Sequence, residues 1–136
     1  MAFGLQDSGD VRGWAIVTGH VNILSEAVLP LRVFGPLGET LVTAVIDTGF
    51  TASLTLPAQT IAKLGLLNVS EGNAFLADGS NVEYRVYAAE VDWDGVRQRV
   101  SVFGIGEDAL VGMAMLKWHR LRVDLSPGGV VEVTPL

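Results

Sequence analysis

One carboxylate in this sequence is set up to do chemistry. Ala44-Val45-Ile46 carries an apolar run into Asp47, Thr48-Gly49 follows at once, and Phe50-Thr51-Ala52-Ser53 comes behind. An aspartate delivered to the end of such a run is seldom buried alone, because an isolated charge facing a core is strongly disfavoured. Two readings suit the tripeptide. Asp47 can cap a turn at a strand end, with Gly49 supplying a positive φ, or it can pass protons to and from a water and a substrate. Other reactive groups are scarce. The chain has no cysteine, which removes thiolate nucleophiles, disulfides and thiolate metal sites. His20 and His119 stand far apart with no motif beside either, so both are read as structural or surface residues and no metal site is expected. Ser53 lacks the Gly-x-Ser-x-Gly setting of a serine hydrolase, and no phosphate-binding loop occurs.

The elements that position Asp47 follow from periodicity and turn residues. Ala27, Leu29, Leu31 and Val33 alternate, Gly35-Pro36-Leu37-Gly38-Glu39 turns the chain, and Thr40 to Ile46 returns as the strand that ends on Asp47. Leu54-Thr55-Leu56 reads as a further strand. Pro57 then starts a short helix over Ala58 to Leu64, with Ile61 and Leu64 inward and Gly65 as its C-terminal cap. Asn68 to Asn73 reads as loop. Ala74 to Ala77 and Val82 to Tyr87 flank the turn-forming Asp78-Gly79-Ser80-Asn81, a hairpin signal. A second turn at Asp92-Trp93-Asp94-Gly95 leads into the alternating strand Val96 to Val102, which has one wet face. Ala109-Leu110-Val111-Gly112 partly echoes the Asp47 segment, and Met113 to Trp118 has helical character. Leu121 to Leu125 and Val130 to Val133 close the chain as strands around Pro127-Gly128-Gly129. Near the N-terminus, Trp14, Ile16, Val17 and Val21 suggest one or two strands from Val11 on. Many short strands with one or two short helices make the fold class mainly β, a closed or nearly closed barrel.

Composition bounds the rest. At 136 residues the chain suits one domain and excludes two lobes; residues 1–10 read as a flexible N-terminus and 11–136 as the domain. Apolar residues make up 49% and charged residues 18%, which is rich for a monomer and fits a subunit that covers part of its surface with a partner. No apolar run reaches the ~18 residues of a membrane span, and no basic segment followed by an apolar stretch opens the chain, so a soluble, cytoplasmic protein with no membrane role is expected. A net charge of −6 without any basic run argues against nucleic acid.

Three blocks in order carry a resemblance: Val45-Ile46-Asp47-Thr48-Gly49-Phe50-Thr51, Leu76-Ala77-Asp78-Gly79-Ser80, and Leu110-Val111-Gly112-Met113 leading into a helix. The chain resembles the retropepsin-like aspartic proteases over roughly residues 27 to 133, and within them the small prokaryotic members. The resemblance implies a closed barrel and a two-fold homodimer, since two carboxylates must share one water and each chain holds a single Asp-Thr-Gly. It implies that Asp47 supplies one catalytic carboxylate per subunit. Thr48 would cross-link the two loops, and Gly49 would let the substrate backbone approach. Phe50 and Thr51 would line the cleft, and Ala77, Asp78, Gly79 and Ser80 would form a flap over a bound peptide. Leu110-Val111-Gly112 would pack beneath the loop. A peptide or protein substrate is implied and no cofactor is. The terminal strand Val130 to Val133 is expected to interleave with that of the partner.

One position departs from the family pattern. Three residues beyond the aspartate the family usually carries Ala, Ser or Thr, and here it is Phe50, which has no hydroxyl to offer the carboxylate and which narrows any cleft it lines. A dimeric module on the same fold that binds peptide without cutting it, or only dimerises, is the alternative reading.

Overall fold

Alternating apolar residues along two consecutive segments build the first hairpin, β2 (Ala27–Gly35) and β3 (Gly38–Ile46), whose register runs from Val28 opposite Val45 to Gly35 opposite Gly38. Leu29, Leu31 and Val33 are fully or almost fully buried, while Arg32 on the other face pairs with Glu39 in solvent. The computed structural model describes residues 16–136. The expected flexible residues 1–10, and the first part of the expected strand from Val11, lie outside the described residues.

In chain order the remaining elements are β1 (Val17–Val21), β4 (Leu54–Thr55), α1 (Ala58–Leu64), β5 (Leu67–Phe75), β6 (Asn81–Trp93), β7 (Val96–Gly104), β8 (Leu110–Val111), α2 (Met113–Leu116), β9 (His119–Val123) and β10 (Val130–Pro135). Their lateral order is β5-β6-β7-β4-β8-β3-β2-β1-β10-β9, and β2 also pairs with β6 through Val33 opposite Val91. That extra pairing closes β6-β7-β4-β8-β3-β2 into a six-stranded ring. Its interior is filled by Leu29, Leu31, Val33, Leu54, Leu56, Val91, Trp93, Val102 and Val111, each at most 2% exposed. Closure leaves each of the six strands flanked by a neighbour on both sides.

The helix expected at Ala58–Leu64 is present. Pro57 stands just ahead of it at φ −61°, and Gly65 ends it at φ +63°, a left-handed conformation that glycine adopts without penalty. Ile61 and Leu64 face the core as expected.

Two expectations are corrected. Asn68 to Asn73 is not a loop: it forms most of β5, paired along β6 with a register shift between Asn68 and Ser70. Both faces of this arm are largely exposed, so its residues carry no apolar alternation from which a strand could be read. The terminal strand is also not a loose edge. β10 lies between β1 and β9, and Val131 and Val133 are fully buried in the subunit's own core. Val131 and Val133 are already used within one chain, and the outer strand at this end of the sheet among the described residues is β9.

Candidate active site

β3 delivers Asp47 to its place by an unusual neighbour. β8 runs parallel to it, Val45 opposite Leu110 and Ile46 opposite Val111, so two segments some sixty-five residues apart end side by side. The ladder continues into the loop, where the Asp47 N–H donates to Val111 O at 2.9 Å. β4 flanks β8 on its other side in antiparallel sense. Asp47 therefore emerges where β3 and β8 end and β4 begins.

The loop after Asp47 closes on itself and on α2. The Gly49 N–H donates to Asp47 Oδ1 at 2.9 Å, and the Phe50 N–H to Asp47 O at 3.1 Å. Gly112 N–H donates to Ser53 O at 2.9 Å, Met113 N–H to Phe50 O at 2.8 Å and Ala114 N–H to Ala52 O at 3.2 Å. The N–H groups at the start of a helix have no partner within it. Here α2 gives them to the carbonyls of the Asp47 loop, which locks the loop without using a side chain.

Gly112 makes that contact possible. A Cβ built there would fall 2.1 Å from Ala52 O and 2.5 Å from Phe50 Cδ2, so any side chain would push the loop away. Gly49 is needed for a different reason than the one a simple turn suggests. It is not among the glycines with positive φ; a Cβ on it would lie 3.3 Å from Asp47 Oδ1, crowding the oxygen its own N–H holds. Below the loop, Thr55 is buried with its hydroxyl donating to Asp108 O at 2.7 Å and accepting from Leu110 N–H at 3.0 Å, which pins β8 to β4.

Asp47 itself is half-buried, Thr48, Gly49 and Thr51 are exposed, and Phe50 is half-buried. The Phe50 ring meets Phe103 of β7 edge to face, 6.0 Å between centroids, and Phe103 lies 5.4 Å from the ring of Tyr84 on β6. Ala77, Asp78, Gly79 and Ser80 are all exposed at the tip of the β5–β6 hairpin. There Asp78 Oδ1 accepts from the Ser80 N–H at 2.8 Å and from its hydroxyl at 2.6 Å, and these bonds hold the Asp78 carboxyl below the ordinary aspartate range. Gly79 takes φ +86°. Among the described residues the hydrogen bonds at the tip are internal to it: Leu76 N–H to Ser80 O, Gly79 N–H to Leu76 O and the two bonds from Ser80 to Asp78.

Cavity volume by itself does not find this site. A depression of about 250 Å³ between Phe34, Leu67 and Arg97 includes no residue of the loop. One of about 540 Å³ does reach it, bounded by Thr51, Met113, Leu116, Trp118 and His119, with Met113 and Trp118 exposed beside the carboxylate loop. Among the described residues no cluster of His, Asp and Glu could hold a metal ion. Sequence reasoning expected Leu110-Val111-Gly112 against the Asp47 loop, and the structure places it there. The same reasoning missed Thr55, Phe103 and Tyr84, which in sequence are ordinary strand residues.

No protein-family model matches the chain, and no curated protein sequence is similar to it. Solved structures are. A retropepsin-like aspartic protease from Rickettsia conorii superposes with a TM-score of 0.56 at 15% identity, over 87% of this chain and 88% of that one. The EIAV protease, complexed with the inhibitor HBY-793, superposes with a TM-score of 0.53 at 18% identity, over 71% of this chain and 89% of that one. Together with the closed six-stranded ring and the Asp47 loop bonded to β8 and α2, these likenesses establish that the chain has the fold of the retropepsin-like aspartic proteases.

Proposed function

We propose that the chain is one half of an aspartic endopeptidase, in which Asp47 from each of two identical subunits flanks a single water. The observation that carries this reading is the mount of Asp47: a parallel ladder on one side and three loop carbonyls held by Gly112, Met113 and Ala114 on the other. An aspartate that only capped a turn has no need of so rigid a support. The bond from Gly49 fixes Oδ1, and Oδ2 has no protein partner among the described residues.

In the dimer the chemistry follows from two carboxylates too close to ionise together, so that they share one proton. The charged one takes a proton from the water as its oxygen attacks the peptide carbonyl carbon. The other gives its proton to the carbonyl oxygen. Collapse of the tetrahedral intermediate breaks the C–N bond, the nitrogen takes up a proton from the pair, and an acid and an amine leave. Thr48 then holds loop to loop across the two-fold axis, Gly49, Phe50 and Thr51 line the cleft, and Ala77 to Ser80 close over the peptide. The exposed Met113 and Trp118 beside the loop supply apolar surface that a second subunit covers.

The test is incubation of the purified protein with a diverse peptide library, wild type beside Asp47→Asn, with products read by mass spectrometry. Cleavage by wild type that the variant lacks supports the proposal. Peptides bound equally by both proteins and cut by neither would assign the fold to a binding module instead. Among the described residues no helix is long and apolar enough to cross a membrane.

A further inference from the structure

Between the Asp47 loop and the middle of the β5–β6 hairpin, where Tyr84 pairs with Gly72, runs a row of three rings. Phe50, three residues past Asp47, meets Phe103 at 6.0 Å between centroids with the planes at 84°. Phe103 then lies 5.4 Å from Tyr84 at 37°. The β6–β7 register sets Phe103 opposite Val86, and Tyr84 is two residues along, on the same face of β6. All three are half-buried, so the row is neither core nor free surface.

Both ends of the row rest on glycines. A Cβ on Gly112 would fall 2.5 Å from Phe50 Cδ2, and a Cβ on Gly72 of β5 would fall 2.6 Å from the Tyr84 hydroxyl. The rings at the two ends are thus seated against bare backbone and have little room to retreat. An edge-to-face contact stabilises beyond burial alone, so displacing Phe50 to admit a substrate group also costs its contact with Phe103.

We infer that this row sets substrate selectivity: it fills the wall beside Asp47, so that the substrate side chain next to the cleaved bond on that side must be small, such as Gly, Ala or Ser. This rests on the peptidase reading above. Phe50 is the gate residue of the row, Phe103 its brace and Tyr84 the link to the hairpin. A bulky aromatic side chain has to expel Phe50 to bind, whereas truncating Phe50 leaves a space of matching shape.

A peptide series identical except for Ala, Leu or Phe beside the cleaved bond tests this by the ratio of kcat/KM values. Wild type should prefer Ala over Phe at least tenfold, and Phe50→Ala should reverse the preference. Phe103→Leu should weaken it by a smaller factor. Equal kcat/KM for Ala and Phe peptides in wild type, or an unchanged ratio in Phe50→Ala, would overturn the inference while leaving the peptidase reading intact. Absence of all cleavage by wild type would overturn that reading instead. In that case binding of the same peptides to Asp47→Asn, with and without Phe50→Ala, decides the row: a tenfold gain for the Phe peptide supports it, and no gain overturns it. Phe50→Leu replaces Phe50→Ala if circular dichroism shows the alanine variant unfolded.

Discussion

Asp47 carries the proposed chemistry, and Asp47→Asn should lower peptide turnover by about a hundred- to ten-thousandfold, the range of general acid–base catalysis. The proposed dimer should survive, because the substitution would remove repulsion between two close carboxylates. Turnover equal to wild type would take Asp47 out of the mechanism. Thr55 stands beneath it with both its hydroxyl bonds used inside the barrel. Thr55→Val keeps the shape and strands Asp108 O and Leu110 N–H, so it should cost about 1–3 kcal/mol in urea unfolding; an unchanged midpoint would show the bridge to be dispensable. Asp47 was legible in the sequence because a charge at the end of an apolar run demands an explanation. Thr55 was not, since a β-branched residue in a strand already has one.

At the scale of the element, the β5–β6 hairpin is the part most open to change without loss of the barrel. Nothing lies within 4 Å of the position a Gly79 side chain would take, so the strain of Gly79→Val comes only from φ +86°, about 1 kcal/mol or more, and stays local. Turnover should fall at least roughly tenfold, equivalent to about 1.4 kcal/mol of barrier, with melting temperature nearly unchanged. Unfolding, or full activity, would show the hairpin to be a structural turn and not a flap. The Asp78–Ser80 clasp adds a pH signature. Since the folded carboxyl sits below its ordinary value, the clasp is intact above that value and is lost as pH falls through the folded one. Amide exchange at Ser80 should therefore accelerate, relative to its intrinsic rate, only in strong acid; the same acceleration near neutral pH would contradict the assignment. The turn was readable from Asp78-Gly79, whereas β5 was hidden because its polar residues face water on both sides.

For the whole molecule, the prediction concerns how two copies meet. Val131 and Val133 belong to the core of a single subunit, so removing residues 129–136 should unfold the barrel rather than merely part a dimer. The test residue lies elsewhere. Trp118 is 74% exposed beside the Asp47 loop, and Trp118→Glu should raise the dimer dissociation constant at least tenfold, with activity falling over the same dilution range. Light scattering and turnover measured together across dilution check this. Activity that persists in a demonstrated monomer would end the two-subunit scheme. The barrel class was legible from strand count and turn residues, but its closure through Val33 and Val91 was not. Nor were the parallel pairings of β3 with β8 and β4 with β7, because parallel neighbours are joined by no short turn that a sequence could announce.

Those parallel pairings also set a timetable. Asp47 leaves the ribosome long before Val111, Gly112 and Met113, the residues whose backbone groups hold its loop. Contacts so distant along the chain form late, after their loop-closure entropy has been met. The amides of Asp47, Gly112 and Met113 should then gain protection in one step, after the local β2–β3 hairpin, in pulse-labelled refolding. A nascent chain halted before residue 110 carries the proposed catalytic aspartate without its mount, so on the peptidase reading the newborn polypeptide stays silent until most of the barrel exists to contain it.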